Sequence, residues 1–474
     1  MWMEPRYRRE GFARDMSSSI STQRTKVLDG LLTNIIRIEG LPTSRGTVTV
    51  SPAQAGDHGP INRFLQNVFR KPTSTDFAAQ LEDPQYEPSD RIVARLGNQI
   101  IGHARVQMRD IHFGDQQLPI GFVCEMATNP EFRKHGIGTA ILKQIHGLMA
   151  EQGAAIGLLK TSAVRFYQNN GWFVGGQHSY SVATARNILS QLRAPDPALL
   201  DQASNPLQAP QQPLHIRVWR RVEQEALMRL YHVNTHGTFG AFIRSDATWR
   251  WLLNRHSFEQ VYVAVNGTKK MTIQGGYDAI VGYAIVNDGQ ILELMTDSSR
   301  DDIAKNLLER ICGDVIEQTD MPIRLDAPHH NPLHKMLLNA GGQYYQRTVI
   351  GGEVILANVL KPIALTKQLR HQFNNRVRAA GLNLPLELGL CIDGKKYALN
   401  ITPRSAKVTR GKIGRNYISV SKNVYSQLLL GVVSAKEAAA NERLQASTRI
   451  AAQFAETLFP QLPLWLPPLD DLLA

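Results

Sequence analysis

Hydrophobic and polar positions follow two periods along this chain, and the switches between them mark its elements. Residues 122–128 are an apolar run with the strength of a central strand, stopped at Asn129-Pro130, where proline cannot continue a ladder. Ala140, Ile141, Leu142, Ile145, Leu148 and Met149 then recur at i, i+3 and i+4, which predicts an amphipathic helix. Upstream, 46–50 reads as a strand, and Ser51-Pro52 reads as a helix start. Ile61, Phe64, Leu65, Val68 and Phe69 form a helical stripe, and 77–81 a short helix before Asp83-Pro84. Alternation over 91–96 and 99–106, about Gly97-Asn98, predicts a hairpin. A third strand runs over 118–128, and 155–159 is a short buried strand beyond the helix.

A stretch rich in Pro, Gln and Ala, 194–214, has the composition of a linker. After it the pattern restarts: strands over 215–219, 260–265, 280–286 and 290–295, then a turn and helix over 295–308. This turn lies where 127–142 lies in the first unit, but it has no glycine pair, and Asp301 and Asp302 there would repel a diphosphate. From Val354 the pattern changes again. Residues 386–401 are two alternating strands about Asp393-Gly394, a strong hairpin signal. Strands over 406–408 and 417–420 follow, then a helix opened by Ser421 and another over 435–444, and the chain closes on a Pro-rich segment, 458–472.

Composition narrows the class. The chain has 474 residues, 43% apolar, enough for about three domains with real cores. The formal net charge of +12 favours anionic ligands without defining a fold. Three cysteines, Cys124, Cys312 and Cys391, lie far apart with no metal spacing, so no metal is expected and a reducing cytoplasm is the default. No run reaches the length of a membrane span. The first 45 residues, rich in Arg and Ser at their start, read as a basic, disordered leader. Lys395-Lys396 and the cations of 407–415 read as solvated strand faces, and no nucleic-acid partner is expected.

The chemistry centres on Arg133-Lys134-His135-Gly136-Ile137-Gly138-Thr139. The first N–H groups of a helix lack partners within it and the helix dipole makes that end positive, so a glycine-bearing turn opening a helix can hold phosphate. Gly136 and Gly138 remove bulk, while Arg133, Lys134 and His135 add charge. Downstream lies an aromatic segment, Ala163-Val164-Arg165-Phe166-Tyr167-Gln168-Asn169-Asn170-Gly171-Trp172.

Arg-x-x-Gly-x-Gly between strand and helix, followed by a Phe-Tyr helix with Gly and an aromatic, resembles the GNAT acetyltransferase superfamily. The resemblance implies that acetyl-CoA is the co-substrate, with its pyrophosphate on 133–139. Pantetheine would lie in a gap between the fourth and fifth strands, on the backbone of Met126, Ala127 and Thr128, with a second contact at Ser162 and Ala163. The order of a GNAT unit, a degenerate GNAT unit and a sterol-carrier-protein-like domain resembles the Eis (enhanced intracellular survival) family. The fold expected is therefore α+β: tandem GNAT folds over 46–193 and 214–353, joined by the linker, then a sterol-carrier-like domain over 354–474.

That family resemblance implies acetyl transfer to amines (lysine, polyamine or aminoglycoside-like acceptors, small molecule or peptide) and a homo-oligomer, a hexamer. It places the general acid on Tyr167 and the general base on the α-carboxylate of Ala474. The aliphatic ending Leu472-Leu473-Ala474 departs from the family's pattern, which commonly ends in an aromatic. Glu125 is an alternative base, Cys124 a core residue, and Ser162 and Ala163 alternatively cap the helix at Val164. An alkylammonium, with a pKa near ~10.4, must lose a proton before attacking a thioester, and a carboxylate or water relay can take it. A different class of function is a lipid- or CoA-binding protein with a vestigial GNAT site.

Overall fold

A computed structural model describes residues 38–43, 46–69, 72–176, 178–193, 213–255, 257–267, 279–297, 300, 302–318, 321–350, 352–462 and 464–471. Most of the expected leader, the linker from 194 to 212, Asp301 and Ala474 lie outside these residues.

The first sheet is a meander: β1 (Ile38–Thr43), β2 (Gly46–Pro52), β3 (Arg91–Leu96), β4 (Gln99–Phe113) and β5 (Gln116–Thr128) pair antiparallel in order. β6 (Ile156–Thr161) then joins β5 in parallel, after the crossover helix Ile137–Glu151. Ile38–Thr43 falls inside the stretch read as leader; its backbone pairs with β2 at the sheet edge. The hairpin about Gly97-Asn98 forms as expected, but β4 runs on to Phe113 because it also pairs with the start of β5. Ser51-Pro52 continues β2 instead of opening a helix; the helix begins at His58 after a short 3-10 turn.

Helix Ile137–Glu151 buries Ile137, Ala140, Ile141, Leu142, Ile145 and Met149 against the sheet, as its periodicity predicts. Full burial of Ile141 or Ile145 contributes about 2 kcal/mol each. Helices His58–Phe69 and Ser74–Leu81 cover the opposite face through Ile61, Leu65 and Phe77. Ser74–Leu81 starts at a capping box in which Thr73 and Asp76 satisfy each other's backbone N–H.

Two further strands, β7 (Phe173–Val174) and β8 (His178–Thr184), follow the aromatic helix Val164–Gln168. β8 leaves the first sheet. It enters a second sheet with β9 (Leu214–Val218), β11 (Gln260–Asn266), β12 (Ile280–Asn287), β13 (Gln290–Thr296), β14 (Pro322–Asp326) and β15 (Gln343–Arg347). The remaining early strand of the second half, β10 (Phe239–Phe242), pairs with β4. β16 (Val349–Ile350) and β17 (Glu353–Val359) return to the first sheet, where β17 pairs with β6 and β7.

Each sheet thus repeats one order. Antiparallel strands lead to a parallel pair (β5/β6 and β13/β14), and the strand beyond that pair comes from the other half of the chain. The exchange welds the halves through backbone hydrogen bonds.

The third sheet holds the strands 386–392, 395–401, 406–410, 417–420 and 444–446, the first two forming the Asp-Gly hairpin. Helices Pro362–Gln368, Arg370–Ala379, Lys422–Leu429 and Arg449–Leu458 share one core with it and with the outer face of the first sheet, where Phe113, Phe122 and Phe373 belong to a single buried cluster. The second predicted helix there is shorter than expected, Ala435–Ala440. Among the described residues no helix is long and apolar enough to cross a membrane.

Candidate active site

The turn before helix Ile137–Glu151 has a specific backbone shape. Lys134 and Gly136 both adopt positive φ, +67° and +78°, and Gly136 is the N-cap. No side chain caps this helix and no acid occupies its first turn. Its leading N–H groups are therefore directed outward with the positive end of the dipole, the setting for an anion. Arg133, Lys134 and His135 are exposed around it. Arg133 Nε donates to Thr128 O at 3.3 Å, and the His135 Nδ1 lies 2.9 Å from Arg133 O, which fixes the loop against the end of β5.

The two glycines serve different ends. A Cβ on Gly136 would meet nothing, so its need is the left-handed conformation. A Cβ on Gly138 would come within 3.3 Å of the Phe166 ring, so Gly138 lets the aromatic segment close on the helix. Ile137 is buried core, and Thr139 is exposed.

β5 and β6 part above this turn. Their parallel register ends at Val123 opposite Leu159, while β5 continues to Thr128. The break coincides with a bulge: Arg105 pairs with Cys124 and His103 with Ala127, leaving an extra residue on β5. Glu125 sits in that bulge at φ +53°, an uncommon conformation for a residue with a side chain.

Buried charge holds the bulge. Arg91 Nη1 donates to Glu125 Oε2 at 2.5 Å, and Arg91 Nη2 to Gln80 Oε1 at 2.7 Å. His103 reaches Glu125 O through Nδ1 at 3.0 Å and faces Arg91 Nη1 through Nε2 at 3.2 Å. Since Arg91 can only donate, Nε2 accepts and Nδ1 carries the proton. Burial and the neighbouring Arg91 push the His103 pKa down to about 4, so the ring is neutral. Burial alone would raise the Glu125 pKa, but the charges of Arg91 and Arg105 overcome it and hold the carboxyl below its ordinary value. Glu125 is a clamped structural carboxylate, poorly suited to the alternative of a base.

Met126 and Thr128 are half-buried on the parted edge, and Ala127 is buried toward helices His58–Phe69 and Ser74–Leu81. Ser162 and Ala163 are exposed at the mouth of helix Val164–Gln168. Ala163 is its N-cap, but no side chain caps it; Thr161 Oγ1 accepts from Ala163 N at 2.9 Å. Tyr167 lies in that helix, 6% exposed, edge-on to Phe166 and Trp172. Burial pushes its hydroxyl up to about 12, so it is protonated at neutral pH, the state from which an acid starts. Burial likewise raises the Cys124 thiol to about 12, which makes it inert.

On the far face of the sheet a cleft opens between the halves. Phe122, beside the last paired rung of β5 and β6, and Lys160, one residue beyond it on β6, line it together with Trp251, Arg324, Trp465 and Asp470. The last two belong to the chain's final segment, which is tied down firmly. Arg244, fully buried, donates to Asp470 through Nε at 3.0 Å and Nη2 at 2.6 Å, and it also pairs with buried Glu293. Tyr283 OH donates to Glu293 at 3.0 Å, and Trp465 N to Phe239 O at 2.9 Å. Gly240, at φ +108°, leaves room for Trp465 O, which would stand 2.4 Å from a Cβ there.

At the start of the equivalent helix in the second sheet, the described charges are already paired. Arg300 donates to Asp302 through Nε at 2.9 Å and Nη2 at 2.6 Å and to Asn266 Oδ1 at 2.6 Å, so its charge is neutralised at the helix start. Asp302 opens helix Asp302–Gln318, where its charge favours the dipole but opposes any incoming anion.

Sequence reasoning missed Arg91, His103, Arg244 and the Asp470 anchor. A signal existed: His103 and Arg105 alternate within an otherwise apolar strand, and buried charges in a strand imply partners.

Residues 49–175 match the family described as Acetyltransferase (GNAT) domain. No curated protein matches the sequence. Solved structures match over most of the chain at low identity. A probable N-acyltransferase from Enterococcus faecalis shares 15% identity at a TM-score of 0.65, over 89% of this chain and 99% of its own. A GCN5-related N-acetyltransferase from Anabaena variabilis shares 17% at a TM-score of 0.65, over 88% and 99%. Eis1 from Mycobacterium abscessus shares 13% at a TM-score of 0.58, over 87% and 97%. At these identities the likeness is one of fold. The family match covers the turn, the parted strands and the aromatic helix together, so residues 49–175 are a GNAT acetyltransferase domain and the chain is an acyltransferase of that kind.

Proposed function

We propose that the chain transfers acetyl from acetyl-CoA to an amine by direct attack on the thioester. The observation that carries the reading is the uncapped, glycine-bent helix start at Gly136, ringed by Arg133, Lys134 and His135. The pyrophosphate lies on 133–139, pantetheine follows the free edge of Met126, Ala127 and Thr128, and Ser162 and Ala163 contact the nucleotide from the other side.

The acceptor comes from the opposite cleft, whose floor at Phe122 and Lys160 is where the strands part. Its nitrogen attacks the acetyl carbonyl, the C–S bond breaks, and Tyr167 gives its proton to the departing thiolate, whose pKa is near ~8.5 by analogy with cysteine. The α-carboxylate of Ala474 takes the amine proton. Asp470 is anchored in the cleft wall, and four more residues span at most about 14 Å, so the tail can enter the cleft. The third sheet and its helices are read as a sterol-carrier-like unit, and the whole as a cytoplasmic homo-oligomer of Eis type.

A thiol-release assay with acetyl-CoA and a panel of amines tests the reading. Amine-dependent thiol release supports it. Heat from acetyl-CoA in calorimetry with no release from any amine would favour a binding protein instead.

A further inference from the structure

The charged groups around the acceptor cleft already answer one another. Arg109 donates to Asp83 and, at 2.7 Å, to Gln85 Oε1. Arg324 grips Asp326 in a fork, Nε to Oδ2 and Nη2 to Oδ1 at 2.7 Å each, and Gln290 Nε2 also donates to Oδ2 at 2.7 Å. Both oxygens of Asp470 accept from Arg244. Lys160 lies in the fields of Glu353 and Asp326. His178, in the same wall, is pushed down to about 4 by burial and then by Lys160 and Arg324, so its ring is neutral.

The rest of the described lining is uncharged, and Phe122, Phe242, Trp251, Ile355 and Trp465 make much of it apolar and aromatic. These walls are fixed before anything binds. Trp251 Nε1 donates to Ala79 O at 2.7 Å, and the Arg255 guanidinium stands 4.8 Å from its ring centroid. Phe242 O accepts from Tyr231 OH at 2.8 Å, and Trp465 is held through its N–H to Phe239 O. A wall that is already ordered costs a ligand little on binding. A second cavity shares Gly176, Ser179, Leu464 and Trp465 with the cleft, and among the described residues it is lined by no Asp, Glu, Lys or Arg.

The reacting amine sheds its charge before it attacks, but any other charge on the acceptor stays. A second ammonium must take Asp326 out of its fork or Asp470 from Arg244. A carboxylate must take Arg324 or Arg109 from partners of their own. Either exchange strands a charge away from water. We infer that the acceptor is an amine whose single amino group is its only charge, carried on an apolar, aromatic body. The inference rests on the acetyltransferase reading and names the substrate class of the same site.

The test uses the full chain with acetyl-CoA and acceptors compared at equal free-base concentration. These are 2-phenylethylamine, propylamine (no ring), L-phenylalanine (a carboxylate added), and spermidine and kanamycin (ammonium groups added). Thiol release should give 2-phenylethylamine a kcat/KM about tenfold to a hundredfold above propylamine and L-phenylalanine, with the polycations slower still. Trp465→Ala should lower the ratio of 2-phenylethylamine to propylamine about fivefold or more. Arg324→Gln frees Asp326 from its fork and should raise spermidine about tenfold relative to 2-phenylethylamine.

Competition gives a readout without acetylation of the probe. The uncharged 2-phenylethanol should compete with the amine, and phenylacetate should compete about tenfold more weakly or less. L-phenylalanine, spermidine or kanamycin as the best acceptor, propylamine equal to 2-phenylethylamine, or phenylacetate competing as well as 2-phenylethanol would each overturn the inference while leaving acetyl transfer standing. Absence of thiol release from every amine would instead strike the acetyltransferase reading, and the inference with it.

Discussion

The helix starts that follow β5 and β13 occupy the same place in sheets of the same strand order, yet among the described residues they differ in cap, backbone and charge. At Gly136 the helix start is uncapped, bent through a left-handed residue and surrounded by exposed cations. At Asp302, Arg300 is forked onto that aspartate. The second half also lacks a tyrosine in helix Leu333–Asn339, which follows β14 as Val164–Gln168 follows β6. Its buried polar groups hold the tail instead, through Arg244, Glu293 and Asp470. The comparison teaches that the sheet supplies a place, whereas backbone φ and uncompensated charge at a few residues decide what that place binds.

The widest gap between the halves is the proposed acid. Tyr167→Phe is expected to lower kcat by about a hundredfold or more, with acetyl-CoA affinity by calorimetry unchanged. Unchanged turnover would remove the acid role from Tyr167. Next comes the charge of the turn. Arg133→Asp with Lys134→Asp gives the first turn the acidity of the second, and acetyl-CoA affinity should fall by about a hundredfold while the melting temperature holds. Retained affinity would mean that the cations are ornamental.

Tail anchoring follows. Asp470→Asn removes a charge from the Arg244 pair, and urea unfolding should show a loss of about 2 kcal/mol, with turnover falling in parallel. If stability falls but kcat does not, the anchor is purely structural.

The bulge clamp sets a pH dependence. The folded pKa of His103 is about 4, below the ordinary 6.5, so the unfolded chain takes up the proton first as pH falls. Its contribution is complete above pH 6.5 and is lost between about 6.5 and 4, at most about 3 kcal/mol. Urea titrations at pH 7.5 and 5 should show a flatter slope for His103→Gln than for the wild type; equal slopes would assign the loss to other groups. The smallest effect belongs to the second turn: Arg300→Ala should change acetyl-CoA affinity less than about twofold, and a larger drop would mean that this turn also holds nucleotide.

What could be read from the residues was local. Helix Ile137–Glu151 and the 97–98 and 393–394 hairpins form where period and turn chemistry placed them, because each is specified by neighbours within a few residues. The exchange of β8 and β17 between sheets was not legible, since alternation shows that a strand exists but not which partner it finds far away along the chain. The glycine-opened start of helix Ile137–Glu151 was readable, but the closeness of Gly138 to the Phe166 ring was not. The Arg91–Glu125–His103 clamp joins three strands, and no spacing within one segment encodes it.

Calorimetric titration of the full chain with acetyl-CoA tests the central claim most directly. One molecule should bind per chain, and Arg133→Asp with Lys134→Asp should weaken that binding about a hundredfold while Arg300→Ala leaves it intact. Two molecules per chain, or an affinity that the first pair of changes leaves unaltered, would contradict the assignment of nucleotide binding to the Gly136 turn.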